Sequence, residues 1–223
     1  LGEARCFNDL GGLELRLGRA RRAVSHHARA LILLRELGDA PGQAIALNNL
    51  GEAEQRLGRH RAAVGHLRQA LRLSRELGDR TGQAWSLTCL GDVQTRAGNA
   101  AEATRHYREA LATFREIGDR DGEPRALNGL GEAASAAGRG AEALTHHAAA
   151  LALALEINAA GEVARAHAGL GHAHRALANT DEALRHYQEA LARYDSIESP
   201  ETVSIRAFLG DLVAHSADLR TYR

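Results

Sequence analysis

The chain has 223 residues, with 28 basic side chains balanced by 28 acidic ones, and 44% hydrophobic residues against 4% aromatic. The balance supplies no overall basic field, which argues against nucleic acid as a partner of this segment. The apolar content is almost all Ala, Leu, Val and Ile, which suits closely approaching helices and leaves few residues to build a large aromatic pocket.

Every basic residue is Arg and none is Lys, a bias that, with the heavy use of Ala, points to a GC-rich bacterial genome. The apolar runs fall far short of the roughly 18 to 20 residues that a membrane span requires. A start at Leu1 with no Met in the chain, and no basic-then-apolar leader, suggests an excised fragment of a longer protein without a visible signal peptide. Cys6 and Cys89 fall at different repeat positions, so no disulfide is expected, and a reducing cytoplasm fits.

The elements follow a 40-residue beat. Repeat 1, about 1–40, carries Leu10-Gly11, then Ala30-Leu31, and closes at Gly38-Asp39. Repeat 2, about 41–80, shows Leu47, Leu50, Ala53, Glu54 and Leu57 at helical spacing, which predicts a helix A over about 43–57 ending at Gly58. Its helix B, about 60–77, carries Ala63, Leu67, Ala70, Leu71 and Leu77, and stops at Gly78-Asp79. Repeat 3, about 81–120, has Leu90-Gly91, Ala110-Leu111 and Gly118-Asp119; repeat 4, about 121–160, has Leu130-Gly131 and Ala150-Leu151, with Asn158 in the closing glycine's place. Repeat 5, about 161–199, has Leu170-Gly171 and Ala190-Leu191, and a partial sixth copy over 200–223 shows Leu209-Gly210-Asp211 one residue out of register. Pro41, Pro124 and Pro200 fall in or beside the first turn of a helix A, where a missing N–H costs little.

Leu50-Gly51, Gly58, Ala63, Leu67 and Ala70, with Tyr107 and Tyr187 at the helix B aromatic position, resemble the tetratricopeptide repeat. The lengthened unit, with its linker RELGDRTGQA, is similar to the repeats of mitotic-spindle G-protein regulators. It is also similar to arrays that follow ATPase modules in bacterial signalling and antibiotic-regulator proteins. Leu47, Leu87 and Leu127 stand where the family has an early Trp, and the proline that usually ends helix B is absent. The resemblance implies one all-α domain over 1–223, a right-handed superhelical solenoid of antiparallel helix pairs. It also implies a concave surface, lined by helix A, that binds peptides or partner domains.

The expected binding face is the side of helix A opposite its packing stripe. Asn8, Asn48 and Asn128 share one position, and Asn49 occupies the next, where related peptide-binding repeats often place an asparagine that grips an extended backbone. Arg16, Arg56 and Arg96 form a second row able to meet a partner's carboxylates, with Glu52 and Asp92, four residues before Arg56 and Arg96, offering surface ion pairs as the competing role. Thr88 and Cys89 belong to the same expected face of repeat 3. Trp85, the only tryptophan, is expected there as a hot-spot anchor, with packing on a neighbouring helix A as the competing role. Arg125 and Arg165 extend the face into repeats 4 and 5.

Other chemistry is missing. A P-loop needs a lysine, the Gly-x-Gly strings lie inside helix A, and neither HExxH nor CxxC occurs, so no enzyme, cofactor or metal site is expected. Histidines recur at His26, His66, His106, His146 and His186. Glutamates one turn earlier (Glu102, Glu142, Glu182) give only two ligands per rung where zinc needs three or four. His172 and His174, two apart, point to different sides of their helix. The ladder therefore reads as a half-buried structural mark of helix B. The resulting expectation is a protein-interaction scaffold in the sensor part of a larger bacterial regulator. Self-association through exposed end faces is the alternative, motivated by Ile205, Phe208, Leu209, Leu212 and Val213 on the last helix.

Overall fold

A computed structural model describes the backbone of residues 1–221 and the side chains of residues 1–212. Among these residues there are eleven α-helices and no strand. They are α1 (Gly2–Arg16), α2 (Ala20–Glu36), α3 (Ala40–Arg56), α4 (His60–Glu76), α5 (Arg80–Arg96), α6 (Ala100–Ile117), α7 (Gly122–Ala136), α8 (Gly140–Glu156), α9 (Ala160–Ala176), α10 (Thr180–Ser196) and α11 (Thr202–Thr221). Odd-numbered helices are the helix A elements and even-numbered ones the helix B elements. Val213, expected on the apolar side of the last helix, lies outside the described side chains.

The 40-residue repeat contains a 20-residue beat. Left-handed residues close the helices at Gly18, Gly38, Gly58, Gly78, Gly98, Gly118 and Gly138, and then at Asn158, Ala178 and Glu198. At the first of these, Gly18 N–H donates to the Leu15 carbonyl at 3.1 Å and Arg19 N–H to the Glu14 carbonyl at 2.8 Å, which satisfies carbonyls left over at the end of α1. The Gly-Asp signal also starts the next helix. The carboxylates of Asp39 and Asp79 accept from the N–H groups of Gly42 at 3.0 Å and Gly82 at 2.9 Å. That cap, with Pro41 in the first turn, starts α3 at Ala40, ahead of the position 43 expected from apolar spacing.

The strict Leu-Gly pair is explained by contact. A Cβ added at Gly11, Gly51, Gly91, Gly131 or Gly171 would lie 2.5 to 2.6 Å from the side chain of His27, Leu67, Tyr107, His147 or Tyr187 respectively. Only glycine lets helix B seat its middle residue directly on helix A. The Ala of each Ala-Leu pair, Ala30, Ala70, Ala110, Ala150 and Ala190, is fully buried at the same seam.

The helices pack into two compact units, Leu1–Gly122 and Glu123–Arg223. In the first, Leu31, Leu34, Leu47 and Leu50 form a core with Ala30, Ala46 and Ala70. Each such buried leucine contributes about 2 kcal/mol. Leu10 departs from its repeat equivalents: it is 44% exposed, and Leu13 and Leu17 share that exposed edge of α1. In the second unit, Tyr187, Tyr194, Ile205 and Leu212 form a core, with Phe208 and Leu209 packed against it. Of the apolar residues expected on α11, Ile205 and Leu212 are buried in this core, while Phe208 and Leu209 are partly buried. Both cysteines are free thiols, Cys6 exposed and Cys89 buried. Among the described residues no helix is long and apolar enough to cross a membrane.

Candidate functional site

In the first unit α3 lies against both α1 and α5, so three helix A elements stand side by side. Along α3, Ile45, Asn49, Glu52 and Arg56 follow one another at i, i+4, i+7 and i+11 and form a single stripe. Ile45 is 58% exposed, Arg56 is exposed, and Asn49 and Glu52 are half-buried. Glu52 and Arg56 approach to 3.7 Å, as expected for an acid-then-base pair on a helix surface.

The same stripe on α5 is Trp85, Cys89, Asp92 and Arg96. Trp85 is half-buried with its ring edge-on to Phe114 of α6, at 5.4 Å between centroids and 72° between planes. That contact seats it on helix B of its own repeat. Arg96 is exposed, and Asp92 accepts a 2.7 Å hydrogen bond from the Tyr107 hydroxyl. Thr88 and Cys89 are buried, and the Thr88 hydroxyl donates to the Ala84 carbonyl, which corrects their expected place on the open face. On α1 the stripe is Arg5, Asp9, Gly12 and Arg16, with the three charged residues exposed.

The row formed by Asn8, Asn48 and Asn128 is directed inward. Asn8 Oδ1 lies 3.0 Å from Nδ1 of His27, and Asn48 Oδ1 accepts from the Ser86 hydroxyl at 2.9 Å, which ties α3 to α5. Asn128 is fully buried. Its Oδ1 is 3.0 Å from Nδ1 of His147, and its Nδ2 donates to the Glu162 carbonyl at 3.2 Å and the Glu162 carboxylate at 2.9 Å. An amide with three partners and no exposed surface cannot grip a ligand, so Asn128 leaves the candidate face. Nearby, Arg165 donates from Nε and Nη2 to the two carboxylate oxygens of Glu132 at 2.7 and 2.9 Å, a fork-shaped pair linking α9 to α7. Arg125 is half-buried at the start of α7.

Two histidines escape the sequence reading. His27 and His147 each follow a ladder histidine by one residue and occupy the Leu67, Tyr107 and Tyr187 position against the invariant glycine. The doubled His-His in SHHARAL and THHAAAL carried that signal. Burial holds both rings neutral and pushes their pKa down to about 4, assisted at His27 by the neighbouring His26. The ladder itself is buried or half-buried, with His26 stacked on Phe7 and His106 within 3.4 Å of Glu102.

A crevice of about 520 Å³ opens between α4 and α6, floored by Leu87 and Leu90 and rimmed by Arg68, Arg72, Arg75 and Arg105. Two rim charges already have partners, Arg75 with Glu109 at 3.0 Å and Arg105 with Glu102 at 2.6 Å.

Stacked antiparallel helix pairs, with a glycine-seated helix B and a helix A row carrying the variable polar residues, define a helical-repeat protein. The tetratricopeptide repeat model matches residues 3–76, 58–116, 80–156 and 122–196, and the chain belongs to that family. No curated protein matches the sequence. Among solved structures, BtubC from P. vanneervenii is similar with a TM-score of 0.67 and 21% identity, over 86% of this chain and 80% of that one. A Rap protein complexed with Competence and Sporulation Factor gives a TM-score of 0.71 at 14% identity, over 99% of this chain and 73% of that one. A Pyrococcus horikoshii signal-transduction ATPase with numerous domains, described as carrying a tetratricopeptide repeat sensor, gives 0.68 at 18% identity, over 94% of this chain and 33% of that one. At these identities the likeness defines the fold.

Proposed function

We propose that the chain is a protein-interaction module that binds an extended peptide or partner segment along the helix A stripes of its first unit. The observation that carries this reading is the stripe on α3. It places a 58%-exposed Ile45 in line with Asn49, Glu52 and Arg56, beside the matching Trp85, Asp92 and Arg96 of α5. An exposed apolar anchor flanked by amide and guanidinium groups can bury a side chain and hydrogen-bond a backbone together. The 40-residue repeat, the ATPase with a tetratricopeptide repeat sensor and the Rap protein complexed with Competence and Sporulation Factor support a sensor role within a larger bacterial regulator.

A photo-crosslinking residue placed at Ile45 should capture the partner, while the same residue at exposed Ala62 on α4 should not. Equal capture from both positions would remove the stripe from the account. A second reading, self-association, is favoured by Leu10, Leu13 and Leu17, which form an exposed apolar edge on α1. Light scattering of a concentration-independent monomer would count against it.

A further inference from the structure

The sequence places two metal-competent side chains on each of three helix B elements, Glu102 with His106, Glu142 with His146 and Glu182 with His186. In repeats 3 and 4 the pair stands at 3.4 and 3.6 Å and gains nothing from helix A, where the facing positions are Gln94 and Ala134. Repeat 5 differs. Its equivalent residue on α9 is His174, whose ring stacks on His186 with centroids 5.4 Å apart and planes 9° from parallel. One donor atom from each of His174, Glu182 and His186 lies within 4.8 Å of the other two. Ligand counting along one helix therefore misses the third ligand, which arrives from the neighbouring helix.

We propose that His174, Glu182 and His186 bind one zinc-class divalent cation, with a fourth position left to water or to a donor from outside the chain. Two imidazoles and one carboxylate form a donor set that zinc accepts, with bonds of about 2.0 to 2.2 Å. Tetrahedral geometry at those lengths sets donor atoms roughly 3.4 Å apart. Closing the group from within 4.8 Å to that spacing draws on Glu182, the exposed member of the three. Arg185 engages one oxygen of that carboxylate, Nε to Oε2 at 3.1 Å, and leaves Oε1 for the cation.

His186 is held in place by a residue that the repeat does not otherwise call for. His167 occupies the position of Leu47, Leu87 and Leu127, and its Nδ1 lies 3.1 Å from Nδ1 of His186. That contact fixes the His186 ring and directs Nε2 away from His167, the arrangement in which a second ring supports a ligating imidazole.

The test uses the tag-free chain, stripped with chelator and titrated with Zn²⁺ by isothermal calorimetry, with melting followed by circular dichroism. The expected result is one Zn²⁺ per chain and a raised melting temperature. His174→Ala and Glu182→Gln, both away from the core, should weaken binding at least ~10-fold while leaving the helical spectrum intact, and His106→Ala should leave it unchanged. His167→Leu, which restores the repeat's usual residue, should fold normally and weaken binding by about 10-fold, as loss of a supporting partner does. Absence of a 1:1 transition, or a transition equally strong in His174→Ala, would overturn the assignment.

Discussion

Asn128→Ala gives a direct reading of how the second unit is held together. Asn128 is fully buried, and its carbonyl oxygen accepts from Nδ1–H of His147, a ring whose Nε2 is buried with no hydrogen-bond partner. The tautomer follows from the network: Nδ2 of Asn128 is turned toward Glu162, so Oδ1 faces the imidazole and the imidazole must donate. Truncation leaves that N–H buried and unpaired, which costs about 1 to 3 kcal/mol. The small void and the lost bonds to Glu162 add to this, for a total of about 2 to 4 kcal/mol. Asn8 makes the same bond to His27 but is half-buried, so water can replace it, and Asn8→Ala should cost about 1 kcal/mol. Urea unfolding followed by circular dichroism measures both. His147→Leu copies the Leu67 of repeat 2, and combining it with Asn128→Ala should cost less than the sum of the single changes, because both partners of the bond are then gone. A loss below about 0.5 kcal/mol for Asn128→Ala, or strict additivity in the cycle, would refute the assignment of Asn128 to the core.

Stability should fall on acidification through the range of the buried histidines. His27 and His147 titrate near 4 in the fold and near 6.5 unfolded, so the unfolded chain takes up more protons between those values. Stability is then complete above about pH 6.5 and declines toward pH 4, with a slope approaching about 1.4 kcal/mol per pH unit for each ring. Urea midpoints that stay flat from pH 7 to 4.5 would contradict this. At the α9–α10 turn, Ala178 stands at φ 60 where seven earlier turns use glycine. Ala178→Gly should therefore stabilise by about 0.5 to 1 kcal/mol, the relief of left-handed strain less the added freedom of the unfolded chain. A lowered urea midpoint would show that the turn tolerates its alanine without strain.

The helices were legible because period and punctuation agree. Leu50-Gly51, Ala70-Leu71 and Gly78-Asp79 mark a packing face, a seam and a stop, and each recurs at one spacing. The direction of polar side chains on helix A was harder to read. Asn48 and Asn49 are adjacent residues about 100° apart on the helix, and a repeat offset alone does not say which of them turns inward. The deciding contacts come from elsewhere: Ser86 draws in Asn48, and His147 with Glu162 draws in Asn128. The His174, Glu182 and His186 group was hidden for the same reason, since Glu182 and His186 are visible at i, i+4 while His174 joins them only through the packing of α9 on α10. The sequence likewise does not reveal that Ile205 and Leu212 of α11 share a core with Tyr187 and Tyr194.

The central claim is that the stripes of α3 and α5 receive a partner. The most direct measurement is the affinity of that partner, captured from Ile45, for the unmodified chain and for the Ile45→Ala, Asn49→Ala, Arg56→Ala triple variant. Ile45 and Arg56 are exposed and Asn49 is half-buried, so the melting temperature should hold. Binding should weaken by at least ~30-fold, the equivalent of one hot-spot residue of about 2 kcal/mol. Unchanged affinity in a folded triple variant would contradict the claim.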